Sequence, residues 1–313
     1  MAETILQVVG FPGLLFCSFL GFLYEGIDRR LYARMQHRMG PPIWQAFYDF
    51  GKLFFVKEDL TPAAAVSSVF NLAPVLAVAS TTVLLLLIPM SSSQAVLAST
   101  GDLLVILALL LIPELAIGIG GLSSSNPYGA VGGSRSLTLL LAYEFPLILS
   151  VLSPVIIVGS LGLTEIVSFQ AQHGWLFLKA PLAAVALLTV LPAILYKVPF
   201  DAPLALYEIH DGPFIEYSGP KLALFYLAKH LELVIVTGLA VSLFFGGPES
   251  IHFGAFVLPP IVSFLLKTLA LLGLVSYIRA VCARLRIDQT LRFFWFGVAP
   301  IAALDLMRII IMH

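Results

Sequence analysis

The stretch "DLLVILALLLIPELAIGIGG", residues 102–121, decides the fold. About 20 mainly apolar residues in a helix, each rising about 1.5 Å, cross the hydrocarbon core of a bilayer. This run has that length, and its interior holds one ionisable group, Glu114. Seven further runs share its character, so the predicted spans are 4–26, 66–89, 102–121, 137–159, 179–198, 222–246, 252–279 and 291–311. Turn-forming or polar breaks such as "PMSSSQ" (89–94) and "FGGPES" (245–250) separate them. The expected fold class is an all-α integral membrane protein with about eight transmembrane helices, one polytopic domain over 1–313. Composition agrees, with 59% apolar and 11% charged residues where a soluble domain carries about a quarter charged.

Basic residues then set the orientation, because short cytoplasmic connections carry the excess of Lys and Arg. The 1–2 connection holds Arg29, Arg30, Arg34, Arg38, Lys52 and Lys57, and the 7–8 connection holds Arg279, Arg284, Arg286 and Arg292. Connections 3–4 and 5–6 with their flanks add Arg135, Lys197, Lys221 and Lys229, making fourteen of the 17 basic residues. Lys179 and Arg308 fall on the other side, and Lys267 lies within a span. Both termini are therefore expected outside and the long polar loops inside, in a multi-pass protein of the cell membrane. The start, "MAETILQVVG", has an acid where a signal peptide has basic residues, so the first apolar run is expected to be retained. In the 1–2 loop, Ile43, Phe47, Phe50 and Phe54 recur at helical spacing among Gln45, Asp49 and Lys52. This predicts an amphipathic helix lying on the membrane or against a partner, and a second such helix is expected in the 5–6 loop.

Ionisable groups inside spans are costly and usually face a bundle interior or a water-filled path. Glu114, Glu144, Glu232 and Lys267 are expected there, with Asp305 as a fifth. Counted along their helices, the three glutamates fall in one cytoplasmic-half zone, where grouped carboxylates could exchange protons with water. Lys267 would favour an ionised neighbour. The alternative is a set of buried pairs that fix helix register. At the mouth of the same zone, "KVPFDAPLALYEIHDGPFIEYSG" (197–219) gathers Asp201, Glu208, Asp211 and Glu216.

Other chemistries have little footing. Cys17 and Cys282 are far apart and read as packing thiols. His173, His252 and His313 lack metal-ligand spacing, and His37 and His210 sit beside loop charges, so no metal site is expected. No phosphate-binding glycine loop or nucleophile elbow occurs, and the basic loops explain topology without nucleic acid.

Four stretches in order carry a resemblance. "DRRLYARMQHRMGP" (28–41), "SSSNPYGAVGGSRSLTLLLAYE" (123–144), "KVPFDAP" with "EYSG" (197–203, 216–219) and "ARLRIDQTLR" (283–292) are similar to signature loops of the NADH dehydrogenase subunit 1 family of respiratory complex I. The resemblance covers nearly the whole chain. Gly40-Pro41 runs almost directly into the amphipathic segment, a short form that resembles the branch in energy-converting membrane-bound hydrogenases and related ferredoxin-linked complexes. It implies a subunit that holds a hydrophilic redox arm, with large-subunit-like and iron–sulfur small-subunit-like partners, against the membrane. Its acids would begin a polar path toward antiporter-like membrane subunits, coupling electron transfer to H⁺ or Na⁺ movement. By motif match, Arg29, Arg38, Arg135, Arg284, Arg286 and Asp288 belong to the docking and loop network, and Glu144, Asp201, Glu208 and Glu216 to coupling. Glu114, Glu232 and Lys267 join coupling on the burial argument. No cofactor is expected on this chain; iron–sulfur clusters, and in the hydrogenase case a nickel–iron site, would lie in partners.

One departure stands out. Complex I proteins read like "PFDLPEGEAEL" where this chain reads "PFDAPLALYEI", with Leu204 and Leu206 replacing two acids. That favours a hydrogenase-like or sulfur-reducing complex over a quinone-linked one. The competing readings are a quinone-chamber subunit, a stand-alone secondary carrier, which would commonly show two related halves, and a passive anchor.

Overall fold

The computed structural model describes residues 9–91, 94–98, 101–249, 252–253 and 256–312. Residues 4–8 of the first predicted span, Ser92, Ser93, Ser250, the His252 side chain and His313 fall outside that description. The chain is a helical bundle. Its helices are α1 (Leu14–Met35), α2 (Gln45–Phe55), α3 (Ser67–Leu87), α4 (Asp102–Ser123), α5 (Pro127–Val158), α6 (Leu163–His173), α7 (Pro181–Ile194), α8 (Gly219–Phe244), α9 (Pro260–Val281) and α10 (Ile287–Met312, with a π-helical stretch at Phe293–Val298). A two-residue pair of antiparallel strands, β1 (His252–Phe253) and β2 (Phe256–Val257), precedes α9.

Among the described residues six helices, α3, α4, α5, α8, α9 and α10, are long and apolar enough to span a membrane. The other two predicted spans differ for physical reasons. Helix α7 is apolar but has 14 residues, about 21 Å, and short turns extend it at its start. Helix α1 has 22 residues, but Glu25, Asp28, Arg29, Arg30 and Arg34 lie in its second half. Helix α8 is the axis of the bundle. Its most apolar window is 94% buried, against 33–50% in the other five. It packs against α1, α2, α3 and α9, and the outer helices keep one face for lipid.

The structure redraws several boundaries. Helix α5 begins ten residues before the predicted 137, because Asn126 accepts a hydrogen bond from the Tyr128 amide at 2.9 Å and Pro127 occupies the first helical position. Most of the 123–144 signature is thus helix, and Arg135 projects from α5. Apolarity missed this turn because "GAVGGSRS" is small and polar. Those small residues serve packing: a Cβ at Gly133 would lie 2.5 Å from the Gly118 carbonyl oxygen, so α4 and α5 touch backbone to backbone. Close approach through small residues is how helices associate without a hydrophobic driving force between them. Likewise α1 runs on through Met35 and takes up much of the first basic signature. The outer helix α6 was not anticipated. The 1–2 loop contains the expected amphipathic α2, whereas the 5–6 loop forms short turns at Ala202–Leu204, Leu206–Ile209 and Gly212–Phe214 in place of one continuous helix. Pro203 and Pro213 and the positive φ of His210, Asp211 and Gly212 break it up.

Candidate functional site

At the bundle centre Lys229 stands between two carboxylates. Glu114 projects from α4 and Glu232 from α8, one turn beyond Lys229, and both acids are fully buried. Lys229 Nζ donates to Glu232 Oε2 at 2.8 Å and, in a shorter contact, to Glu114 Oε1. It also donates to the Ile194 carbonyl at 3.2 Å, an orphan acceptor at the end of α7, and sits 3.8 Å above the Tyr196 ring. Two acids against one cation leave carboxylate oxygens over: Glu114 Oε2 and Glu232 Oε1 are buried without a hydrogen-bond partner, as is the Tyr143 hydroxyl. Tyr196 completes the surroundings through a hydroxyl contact with Ser136.

A second cluster joins α1 to α9 and to the segment after α7. Asp28, fully buried on α1, receives Lys197 Nζ at 2.8 Å, Arg279 Nη1 at 2.8 Å and Ser276 Oγ at 2.6 Å. Lys197 also donates to Glu25 at 2.8 Å. Arg29 links Glu25, at 3.0 Å, to Asp49 on α2, at 3.1 Å, and Gln45 holds the other Asp49 oxygen at 2.8 Å. Three acids and three bases balance. His230 stands beside this cluster on α8, its ring 5.2 Å from that of Phe22.

The 5–6 loop is pinned from several sides. Arg284 grips Asp201 through both oxygens, at 2.6 and 2.5 Å. Arg135 donates to Glu208 at 2.8 Å and to the Ala202 carbonyl at 3.3 Å. Asn126 donates to Glu216 at 2.5 Å, and Tyr217 stacks on Phe70 at 4.0 Å. The Arg135 hydrogen bond holds the Glu208 carboxyl below the usual glutamate range. Asp201 in turn keeps Arg284 firmly protonated, whereas burial pushes Asp211 up. Arg135, Glu208, Arg284, Arg286 and Asp288 line an open cleft of about 590 Å³. Of the two leucines, Leu204 packs against the core while Leu206 is 56% exposed beside Tyr207, at 98%.

Of the expected coupling residues, Glu114 and Glu232 come together, Glu208 faces the cleft, and Asp201 is held by Arg284, which lines it. Glu144 is half-buried on α5 and makes no ion pair or side-chain hydrogen bond among the described residues. Lys267 lies near the opposite bundle end, donating to the Gly247 carbonyl at 3.0 Å with its ammonium 5.6 Å from the Trp175 ring. Arg38 is exposed and its guanidinium donates to the nearby Gln36 side chain. Asp305 sits at the same far end, accepting from the Ala183 amide at 2.9 Å in the first turn of α7. Sequence reasoning missed Lys229, counted among loop-flanking cations, and the Glu25–Asp28–Lys197–Arg279 cluster. The spacing Lys229/Glu232 was the available signal, since residues three apart face each other on a helix. Among the described residues no three His, Cys, Asp or Glu gather as a metal-ligand group.

The comparisons with known proteins agree in direction. The NADH dehydrogenase family profile matches residues 8–310. The H subunit of the NADH-quinone oxidoreductase of Bacillus cytotoxicus is 36% identical over 303 residues, covering 94% of this chain and 90% of that protein. Its counterpart in Brevibacillus brevis is 34% identical over 302 residues, covering 94% and 89%. A chain in the structure of the membrane-bound sulfane sulfur reductase, an archaeal respiratory membrane complex, superposes with a TM-score of 0.89 at 31% identity, covering 98% of this chain and 99% of that one.

Proposed function

The chain belongs to the NADH dehydrogenase subunit 1 family, the membrane subunits of complex I-like respiratory assemblies, and from that premise we propose that it anchors a hydrophilic redox arm and couples electron transfer to H⁺ or Na⁺ movement. The observation that carries the coupling role is Lys229 shared by Glu114 and Glu232. One cation between two fully buried acids leaves a negative charge in excess, which a proton can neutralise, and the free oxygens and the Tyr143 hydroxyl offer places to pass it on. Asp201 and Glu208 would receive the signal from the arm, since each is held by one arginine at an open cleft. Exposed Leu206 and Tyr207 suit contact with a partner.

The electron-transfer reaction in this proposal is ferredoxin-linked, either hydrogenase-like or sulfur-reducing. Leu204 and Leu206 replace two acids of the quinone-linked pattern, and the sulfur reductase chain matches end to end. Iron–sulfur clusters, and a nickel–iron site in the hydrogenase case, would belong to the arm, and antiporter-like subunits would continue the ion path. Both termini would lie outside the cell membrane. In the purified assembly, Glu114→Gln and Glu232→Gln should leave electron transfer in detergent near the parent rate and lower ion pumping in proteoliposomes at least tenfold; unchanged pumping would reduce this chain to a passive anchor. A second reading has one observation behind it. A cavity of about 320 Å³ opens between α2 and α8, with Phe50, Leu53, Leu222, Tyr226 and His230 in its lining beside the charged Arg29, Asp49, Lys52 and Lys57, and the Bacillus and Brevibacillus relatives are named for quinone reduction. Reduction of a quinone analogue by the assembly, without hydrogen or sulfide production, would establish it.

A further inference from the structure

The bundle end opposite the charged loops carries few cations, and one of them, Lys267, is taken up by the Gly247 carbonyl. Of the 17 basic residues, Lys179 and Arg308 are the two that sequence assigns to that side, and the fold brings them together although they lie far apart in the chain. Both line one cleft of about 370 Å³, whose other walls are Ile157, Phe169, Ile309 and Met312. Lys179 is exposed, its ammonium 4.8 Å from the Phe169 ring, and it makes no ion pair among the described residues. Arg308 Nη2 lies 2.7 Å from Asp305 Oδ1 and donates to the Lys179 carbonyl at 2.5 Å, while its Nε is buried with no hydrogen-bond partner. Asp305 meanwhile spends its other oxygen on the Ala183 amide. Two cations, of which Arg308 alone is paired with an acid, therefore face a cavity that is otherwise apolar.

We infer that this cleft is a binding site for the headgroup of an anionic phospholipid in the leaflet facing away from the charged loops. A phosphodiester supplies the anion that Lys179 lacks and an acceptor for the unpartnered Nε of Arg308. The apolar walls accept what an inorganic anion could not use, the glycerol and upper acyl chains. They continue into exposed Ile310, Ile311 and Met312 at the end of α10, a surface facing lipid. The seat lies where residues of α5 (Ile157), α6 (Phe169) and α10 (Ile309) meet Lys179 just before α7.

Native mass spectrometry of the intact assembly, delipidated and then offered phosphatidylglycerol or phosphatidylcholine, tests this. The parent should retain at least one more phosphatidylglycerol than phosphatidylcholine. Both Lys179→Gln and Arg308→Gln should lose that one lipid, and inorganic phosphate at equal concentration should not displace it. Lys179→Gln removes an exposed side chain that makes no ion pair, so its result stands even where Arg308→Gln weakens the α7–α10 contact. Equal lipid counts in the parent and Lys179→Gln would overturn the inference. Displacement by phosphate alone would make the site one for a free anion. A crosslink from position 179 to another protein of the assembly would assign the cleft to that partner instead.

Discussion

Lys229 decides the chemistry of the bundle centre. Removing one partner of a buried ionic group leaves uncompensated charge and costs about 3–5 kcal/mol, so Lys229→Met should lower the thermal midpoint of the assembled complex sharply. Adding Glu114→Gln to that variant should restore part of the loss, because it removes one of the two stranded charges. At the loop, Glu208 has its carboxyl held low by the Arg135 hydrogen bond. A group with a depressed folded pKa contributes stability above its unfolded value and loses it as pH falls through the folded one. Hydrogen-exchange protection at Leu206–Ile209, taken relative to the intrinsic exchange rate at each pH, should therefore be unchanged from pH 7 to pH 5 and fall only below the ordinary glutamate value of about 4.3. In Arg135→Gln the same loop should be less protected throughout. Glu114 and Glu232 stand out in the sequence because each interrupts an apolar run. Lys229 does not, since ten residues from Gly219 it can be counted as flank or span, and only its two carboxylates settle which.

Among the elements, α5 and the 5–6 loop show how small residues place charged ones. A Cβ at Gly132 would come within 2.5 Å of the Gly212 Cα and 2.6 Å of the Pro213 nitrogen. Backbone cannot yield there as a side-chain tip would. Gly132→Ala should push the loop off α5, cost about 1–3 kcal/mol, and raise protease cleavage between Phe200 and Ser218, whereas alanine at Gly273, which meets nothing within 4 Å, should do neither. The apolar segments and the amphipathic α2 were legible because their periodicity follows from which face meets lipid or core. The start of α5, the outer α6 and the broken 5–6 loop were not. Their polar and small residues satisfy neighbours distant in sequence, and no local pattern records those neighbours.

For the whole molecule, two cysteines give a test of orientation. Cys282 is exposed just past the end of α9, and Cys17 is buried in α1. If the charged loops face the cytoplasm, a membrane-impermeant maleimide should label Cys282 in inside-out vesicles and spare it in right-side-out ones. Cys17 should react in neither until the protein is denatured. Labelling confined to right-side-out vesicles would invert the bundle. Taken alone, the sequence determined the class of the fold, the asymmetry of Lys and Arg, and the family likeness carried by four ordered motifs. All of these are properties of composition and order along the chain. The tertiary structure decided which charges share a site: Lys229 with Glu114 and Glu232, Asp28 with Lys197 and Arg279, Lys179 with Arg308. Ion pairing in a bundle depends on the rotation and depth of helices that meet in space, and those are set by packing across the interfaces, where distance along the chain carries no information.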